Sequence, residues 1–286
     1  MLKRYGQCIV IIALFFLGCS GSNESLIGNL SNPNAKVRNG AVRRLMLHGH
    51  DTATIKKLIA LLESEDEQLV FITVQILSSP IDSIAVHEIG RLTKHRNPDI
   101  RFRAVESLGL IGHKSALPYL FHALEDSVVN VRRMAVMKLG LFGEPSAIEP
   151  LCSMFGDTSA RVKSETVQAL IWLRNNVEIY ADLFTMPMND DNELVRYVAV
   201  QALGNEYPDE DVAVELLMKA LDDPSSHVCA EAVKSISRIG YKKAIPQLKK
   251  MHNTSQYEVQ IAISGAIRNM TGETYPDFTK IVEKLE

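Results

Sequence analysis

The chain has 286 residues, 46% of them hydrophobic but only 6% aromatic, and carries a formal charge of −3. That charge is too mild to imply nucleic acid as a partner. The apolar positions are filled mostly by Leu, Ala, Val and Ile, a composition better suited to closely stacked helices than to one thick core.

At the N-terminus, Lys3 and Arg4 precede an uninterrupted apolar run from Ile9 to Leu17 that ends at Gly18-Cys19. A run of about ten apolar residues is too short to span a bilayer and suits a secretory signal. The stretch Phe16-Leu17-Gly18-Cys19 resembles the lipobox of bacterial lipoproteins, with Phe16 where leucine is more usual. The resemblance implies a signal peptide over residues 1–18, diacylglycerol on the Cys19 thiol and a fatty acyl group such as palmitate on the new amino terminus. By the same resemblance Ser20, rather than aspartate, after the cysteine implies the periplasmic side of the outer membrane. More than one acyl chain makes such an anchor stable. Loss of Lys3 and Arg4 takes the net charge from −3 to −5. Residues 19–25 are expected to form a lipid-anchored polar tether spanning ~20 Å when extended.

From Leu26 onward the chain repeats itself. The stretch Asn97–Asp126 matches Asp126–Asp157: Ile100-Arg101 meets Val131-Arg132, Ala104 meets Ala135, Leu108-Gly109 meets Leu139-Gly140, and Gly112 meets Gly143. Branched residues at Val37, Val70, Ile100, Val131, Val162, Val195, Val228 and Val259 anchor eight such units, 30 to 33 residues apart. That period belongs to stacked pairs of short helices. Four residues after each anchor stands Ala41, Val74, Ala104, Ala135, Thr166, Ala199, Ala232 or Ile263. Eight after it, except in the second unit, stands a leucine or isoleucine from Leu45 to Ile267. Offsets of 0, 4 and 8 form one helical stripe that must face the interior. Ser78 and Ser79-Pro80 break the pattern in the second unit. Gly49, Gly112, Gly143 and Gly240 fall where the second helix must end and the chain reverse. Gly109, Gly140 and Gly204 fall where neighbouring helices need close approach.

This pattern resembles the HEAT-like repeat, in the short form also found in phycobilin lyases. The resemblance implies an all-α, right-handed α-solenoid of about eight helix pairs over residues 26–286, with the second helices lining the concave side. It also implies an aspartate–arginine ladder between repeats, carried here by Asp126, Asp157, Asp190 and Asp223 with Arg101, Arg132 and Arg196. Such carboxylates are expected to cap helix N-termini and to pair with arginine forks. Repeats three and four match the pattern best. Met270-Thr271-Gly272 resembles the turn that often closes these proteins, after which Tyr275 and Phe278 are expected to cover the last repeat.

Chemistry is sparse. There is no P-loop, dinucleotide fingerprint, nucleophile elbow or zinc-binding His-Glu-x-x-His helix. The di-iron hydroxylases of this fold carry several His-Glu pairs, whereas His87-Glu88 stands alone here. His48, His50 and Asp51 are a weak metal-like cluster on a turn, and no metal or cofactor is expected. Cys152 and Cys229 lie in different repeats, beyond the ~7 Å Cα limit for a bridge, so two buried free thiols are expected. Residues 190–223 are mostly acidic and residues 234–250 basic, the pattern of solvated faces or of a charge-matched partner. Offsets of 3, 6 and 10 from the anchors place Arg103, Met134 and Met137 on the expected concave lining. A guanidinium beside flexible thioethers suits a protein or peptide ligand. The expectation is a non-catalytic interaction scaffold. An accessory enzyme or chaperone-like factor acting on another exported protein, similar to phycobilin lyases, is the alternative.

Overall fold

The computed structural model describes residues 22–48, 51–78, 83–174, 180–207 and 210–275. The apolar run before Cys19 and Cys19 itself, with Gly49, His50 and Phe278, lie outside them. Every regular element among the described residues is helical. None of these helices is long and apolar enough to cross a membrane.

Among the described residues, sixteen α-helices fall into eight pairs. The first helices are α1 (Asn23–Gly28), α3 (Thr52–Leu61), α5 (Val86–Arg91), α7 (Leu117–Ala123), α9 (Ile148–Ser153), α11 (Thr185–Met188), α13 (Asp211–Ala220) and α15 (Ile245–His252). The second helices are α2 (Ala35–His48), α4 (Glu67–Leu77), α6 (Pro98–Ile111), α8 (Val129–Phe142), α10 (Ala160–Arg174), α12 (Glu193–Glu206), α14 (Ser226–Arg238) and α16 (Tyr257–Thr271). All eight anchors lie at the start of these second helices.

The chain divides into two compact units, Met1–Tyr119 and Leu120–Glu286. In the first, α2 packs on α4 and α4 on α6, and α3 and α5 back onto α4 and α6. In the second, α8, α10, α12, α14 and α16 stack in that order, with α9, α11, α13 and α15 behind them.

The interior is the stripe the spacing requires. Ala104, Leu108, Ala135, Leu139, Leu170, Ala199, Leu203, Ala232 and Ile236 are fully buried. Thr166 is buried with them, its hydroxyl returned to the Val162 carbonyl at 3.0 Å so that no polar group is stranded. Val37 departs from the stripe: it is 40% exposed, because the first described repeat has no earlier one to lie against. The second repeat stops early, α4 ending at Leu77 with Ser78 as its C-cap.

Two glycines show why the repeats stack so closely. A Cβ built on Gly140 would stand 2.6 Å from the Cα of Ala169 on the next second helix, and one on Gly204 would stand 2.3 Å from the Ser235 side chain. Both distances lie inside van der Waals contact. Gly112, Gly143, Gly240 and Gly272 take positive φ and end their helices, the duty that a left-handed cap assigns to glycine.

Within the second unit, the ladder closes between successive repeats at three places. Arg132 forks onto Asp157, Lys163 reaches Asp190 at 2.6 Å, and Arg196 forks onto Asp223 at 2.7 and 2.9 Å. Each arginine also holds the loop before its own helix: Arg101 Nη1 donates to the His95 carbonyl at 2.9 Å, Arg132 Nη1 to the Asp126 carbonyl at 2.7 Å, and Arg196 Nη1 to the Asp190 carbonyl at 2.8 Å. The carboxylates do not cap helices as expected. Asp126, Asp157, Asp190 and Asp223 each accept the backbone N–H two residues on, from Val128, Ser159, Asn192 and Ser225, at 2.7–2.9 Å. They shape the turn ahead of the second helix, and where side chains do cap, Asp66, Asn97 and Asn192 serve. At Asp157, burial alone would raise the carboxyl, but the Arg132 and Ser159 hydrogen bonds with the charges of Arg132 and Lys163 outweigh it, and the net shift is downward.

Two further expectations are corrected. Residues 22–25 are not free tether: Ser22 caps α1, and Asn23 Nδ2 donates to Asp51 at 2.9 Å and to Thr54 at 3.0 Å. Of the two free cysteines, Cys229 is buried while Cys152 is only half-buried. Burial pushes the Cys229 thiol up to about 11 and raises that of Cys152 as well. At the other end Tyr275 does pack on the last repeat, its ring edge-on to His252 at 5.4 Å between centroids.

Candidate partner-binding surface

The faces of the second helices turned away from the interior carry the polar and apolar groups that nothing in the fold consumes. In the first unit, a groove of about 430 Å³ runs between α4 and α6, lined by Phe71, Phe102 and Arg103 among others. Arg103 is not a free reader of this groove. Its guanidinium lies 4.4 Å from the centre of the Phe71 ring, and Nη1 pairs with Glu106 at 2.5 Å. Stacking on an aromatic face and pairing one turn away fix the side chain in place. Met134 and Met137 belong to the second unit, where both are half-buried on α8. They are neither the free thioethers expected nor full core residues.

A second surface, which the spacing argument had not reached, lies across α12, α14 and α16. One depression of about 330 Å³ is lined by Leu194 and Tyr197 from α12, His227 and Lys234 from α14, and Glu193 and Glu258. Lys234 also borders the neighbouring groove of about 430 Å³, whose other walls include Arg238, Ile261, Gly265 and Asn269. Beneath them sits Glu231, only 3% exposed. It receives Arg238 Nη2 at 3.3 Å, Lys234 Nζ at 3.8 Å and the Tyr197 hydroxyl at 3.4 Å. Burial first, and then the Glu231 charge, push the Tyr197 hydroxyl above the ordinary phenol range. At the N-terminal end of the same helices, His227 stands 4.0 Å from Glu193 and 3.5 Å from Glu258. Leu194 and Ile261, both about half exposed, give the surface its apolar edges. Tyr197, Lys234, Arg238, Ile261, Gly265 and Asn269 sit at offsets 2, 6 or 10 from Val195, Val228 and Val259, whereas Glu193, Leu194, His227 and Glu258 just precede those anchors. The stripe at offsets 3, 6 and 10, extended into repeats seven and eight, would have located Glu231, Lys234, Arg238, Gly265 and Asn269, but not Tyr197 or Ile261.

The remaining polar candidates are structural. Asp51 caps α3, accepting the Thr54 N–H at 2.8 Å, and the Thr54 hydrogen bonds hold its carboxyl below the usual range. His50 lies outside the described residues, so the proposed cluster with His48 is not seen whole. His87 meets the Tyr119 hydroxyl at 2.7 Å while Glu88 pairs with Arg91. Among the described residues, no three His, Cys, Asp or Glu side chains gather as they would around a metal ion.

Paired helices with side-by-side second helices, a recurrent Asp–Arg ladder and open grooves on the second-helix faces define an α-solenoid. The profile of one solenoid family, HEAT repeats, matches residues 89–171 and 182–268, more than half of the chain. The chain belongs to the HEAT-repeat family. The fold is similar to the X-ray structure of YibA from Escherichia coli, over 96% of this chain and 98% of that one, with 18% identity and a TM-score of 0.57. Two other structures, each 18% identical, are similar at lower scores. An engineered protein scores 0.45 over 91% of this chain and 81% of its own. Human deoxyhypusine hydroxylase in complex with glycerol scores 0.39 over 88% and 96%. No curated protein matches the sequence.

Proposed function

We propose that the protein is a non-catalytic interaction scaffold that holds a protein or peptide partner on the faces of its second helices. The observation that carries this reading is the surface across α12, α14 and α16, where exposed Leu194 and Ile261 border a bed of paired charges. Such a mixture of apolar edge and polar rim is the anatomy of a protein interface. Nucleic acid is a poorer fit to a chain of charge −3.

The second half of the proposal concerns address. The apolar run ending in Leu17-Gly18-Cys19 supports lipid attachment at Cys19, and Ser20 supports the periplasmic face of the outer membrane. Because α1 begins at Asn23, the spacer between lipid and first helix is only Ser20 to Ser22, and the first repeat would lie against the membrane. Growth with labelled palmitate tests this directly. Label should enter the wild-type chain and be absent from Cys19→Ala; equal labelling of both removes the anchor from the proposal. In-cell photo-crosslinking from Tyr197 and Ile261 tests the scaffold role, and a discrete adduct of higher mass is expected from both positions.

A further inference from the structure

We propose that the groove between α14 and α16 takes an acidic side chain of the partner polypeptide. Its carboxylate sits between Lys234 and Arg238, and the residue beside it lies on Ile261 and over Gly265. The inference rests on the interaction reading above and adds the chemistry of the partner.

Four observations carry it. First, two cations share a single carboxylate: Arg238 and Lys234 stand 3.3 and 3.8 Å from Glu231, which is nearly wholly buried, while they are 42% and 52% exposed. The charge offered to solvent is therefore positive, and the long distances leave donors on both groups for a second anion. A guanidinium binds a carboxylate through paired N–H groups, and an ammonium adds a point charge.

Second, the exposed acids of this surface share the first depression with Lys234 but do not enter the groove between α14 and α16. Glu193 and Glu258 lie at the starts of α12 and α16, where His227 stands between them, and neither borders the α14–α16 groove. The surface thus has an acidic end and a basic end, which fixes the direction of a bound chain.

Third, the α16 wall of the groove is low. Ile261 is 48% exposed, and a Cβ on Gly265 would meet nothing within 4 Å. Backbone can approach closely there, and the apolar Ile261 edge favours a partner whose acid is flanked by an aliphatic or aromatic residue. Fourth, Ser237 and Asn269 line the same groove and offer hydrogen bonds to a peptide backbone.

The test uses the full chain and a phage-displayed library of random dodecapeptides. Binders enriched on the wild type are synthesised with a fluorescent label and measured by anisotropy against Gly265→Leu and Lys234→Glu. Gly265→Leu fills the groove at a point where the fold leaves room and replaces glycine by a better helix former, so its melting temperature should not fall. The expected result is enrichment of Asp or Glu next to an apolar residue, with affinity reduced about tenfold or more in both variants. Binders lacking acids, or acidic binders indifferent to Gly265→Leu, would overturn the groove assignment while leaving the scaffold reading intact. Failure to enrich any peptide would count against both. Anionic phospholipid vesicles or an oligonucleotide bound by the wild type and released by the same two substitutions would overturn the choice of a polypeptide.

Discussion

Arg132 grips Asp157 with two arms of its guanidinium, Nε to Oδ2 at 2.6 Å and Nη2 to Oδ1 at 2.9 Å, while its third nitrogen holds the Asp126 carbonyl at 2.7 Å. One side chain thereby fastens the turn of its own repeat and the turn of the next. Asp157 in turn shapes its own loop through the Ser159 N–H at 2.7 Å. Adjacent helix pairs are locked in register as well as packed.

Asp157→Asn keeps the turn acceptor but removes the charge, and should cost about 1–3 kcal/mol at neutral pH, the worth of a charge-assisted hydrogen bond. The pH dependence has a definite sign. The folded carboxyl titrates below its unfolded value of about 3.9, so its stabilisation is present above that pH and lost as pH falls through the lower folded value. Urea titrations from neutral pH into the acid range should show wild type and variant converging below about pH 4. A constant gap across that range would show that the ion pair contributes nothing.

Arg132→Lys retains the positive charge and loses the fork. It should cost roughly 1–2 kcal/mol, because a single ammonium cannot reach both carboxylate oxygens and the Asp126 carbonyl in this geometry. Full stability of the lysine variant in a denaturant titration would mean that charge alone suffices.

Two glycine substitutions should act in opposite directions. Gly140→Ala places a methyl 2.6 Å from the Ala169 backbone and should destabilise by about 1–3 kcal/mol through forced separation of α8 and α10. Gly265→Ala places the same methyl in open space and should stabilise by about 0.5–1 kcal/mol. Thermal melts of the pair decide the matter, and equal shifts would refute the close approach at Gly140.

Leu139 is fully buried in the second unit, while Leu77 is slightly exposed at the end of the shortened α4. Leu139→Ala should cost ~2–5 kcal/mol, and Leu77→Ala less, because the end of a helix can relax around the lost volume. Equal losses in guanidinium would indicate that the second repeat packs as tightly as the fourth.

The buried Cys229 thiol, raised to about 11 and donating to the Leu221 carbonyl at 3.1 Å, should stay protonated and unreactive in the folded chain. In a thiol-modification assay on the purified protein, half-buried Cys152 should react first and Cys229 only on unfolding. Rapid modification of both would argue for local opening at α14.

Much of this architecture is already determined by the sequence alone. The recurrence of Val131, Ala135 and Leu139 in the next repeats as Val162, Thr166 and Leu170 settles which face of every second helix is interior, because a 3.6-residue period admits only one such stripe. Glycines such as Gly112 and Gly143 mark the helix ends for an equally local reason, since only their φ angles close the turn without strain. What the sequence leaves open are relationships made across repeats. The family resemblance implies a ladder through Asp157, but only the three-dimensional stack shows that it shapes a turn rather than caps a helix, and that its partner is Arg132 of the preceding repeat. Arg103 is indistinguishable from a free cation until the Phe71 ring, a repeat away, is found beneath it. Tyr197 and Glu231, 34 residues apart in the chain, likewise meet only when α12 packs on α14. Periodicity assigns each side chain to a face. Which charges are neutralised by neighbours and which remain for a partner depends on distances that no spacing rule contains, and these are set when the helices close.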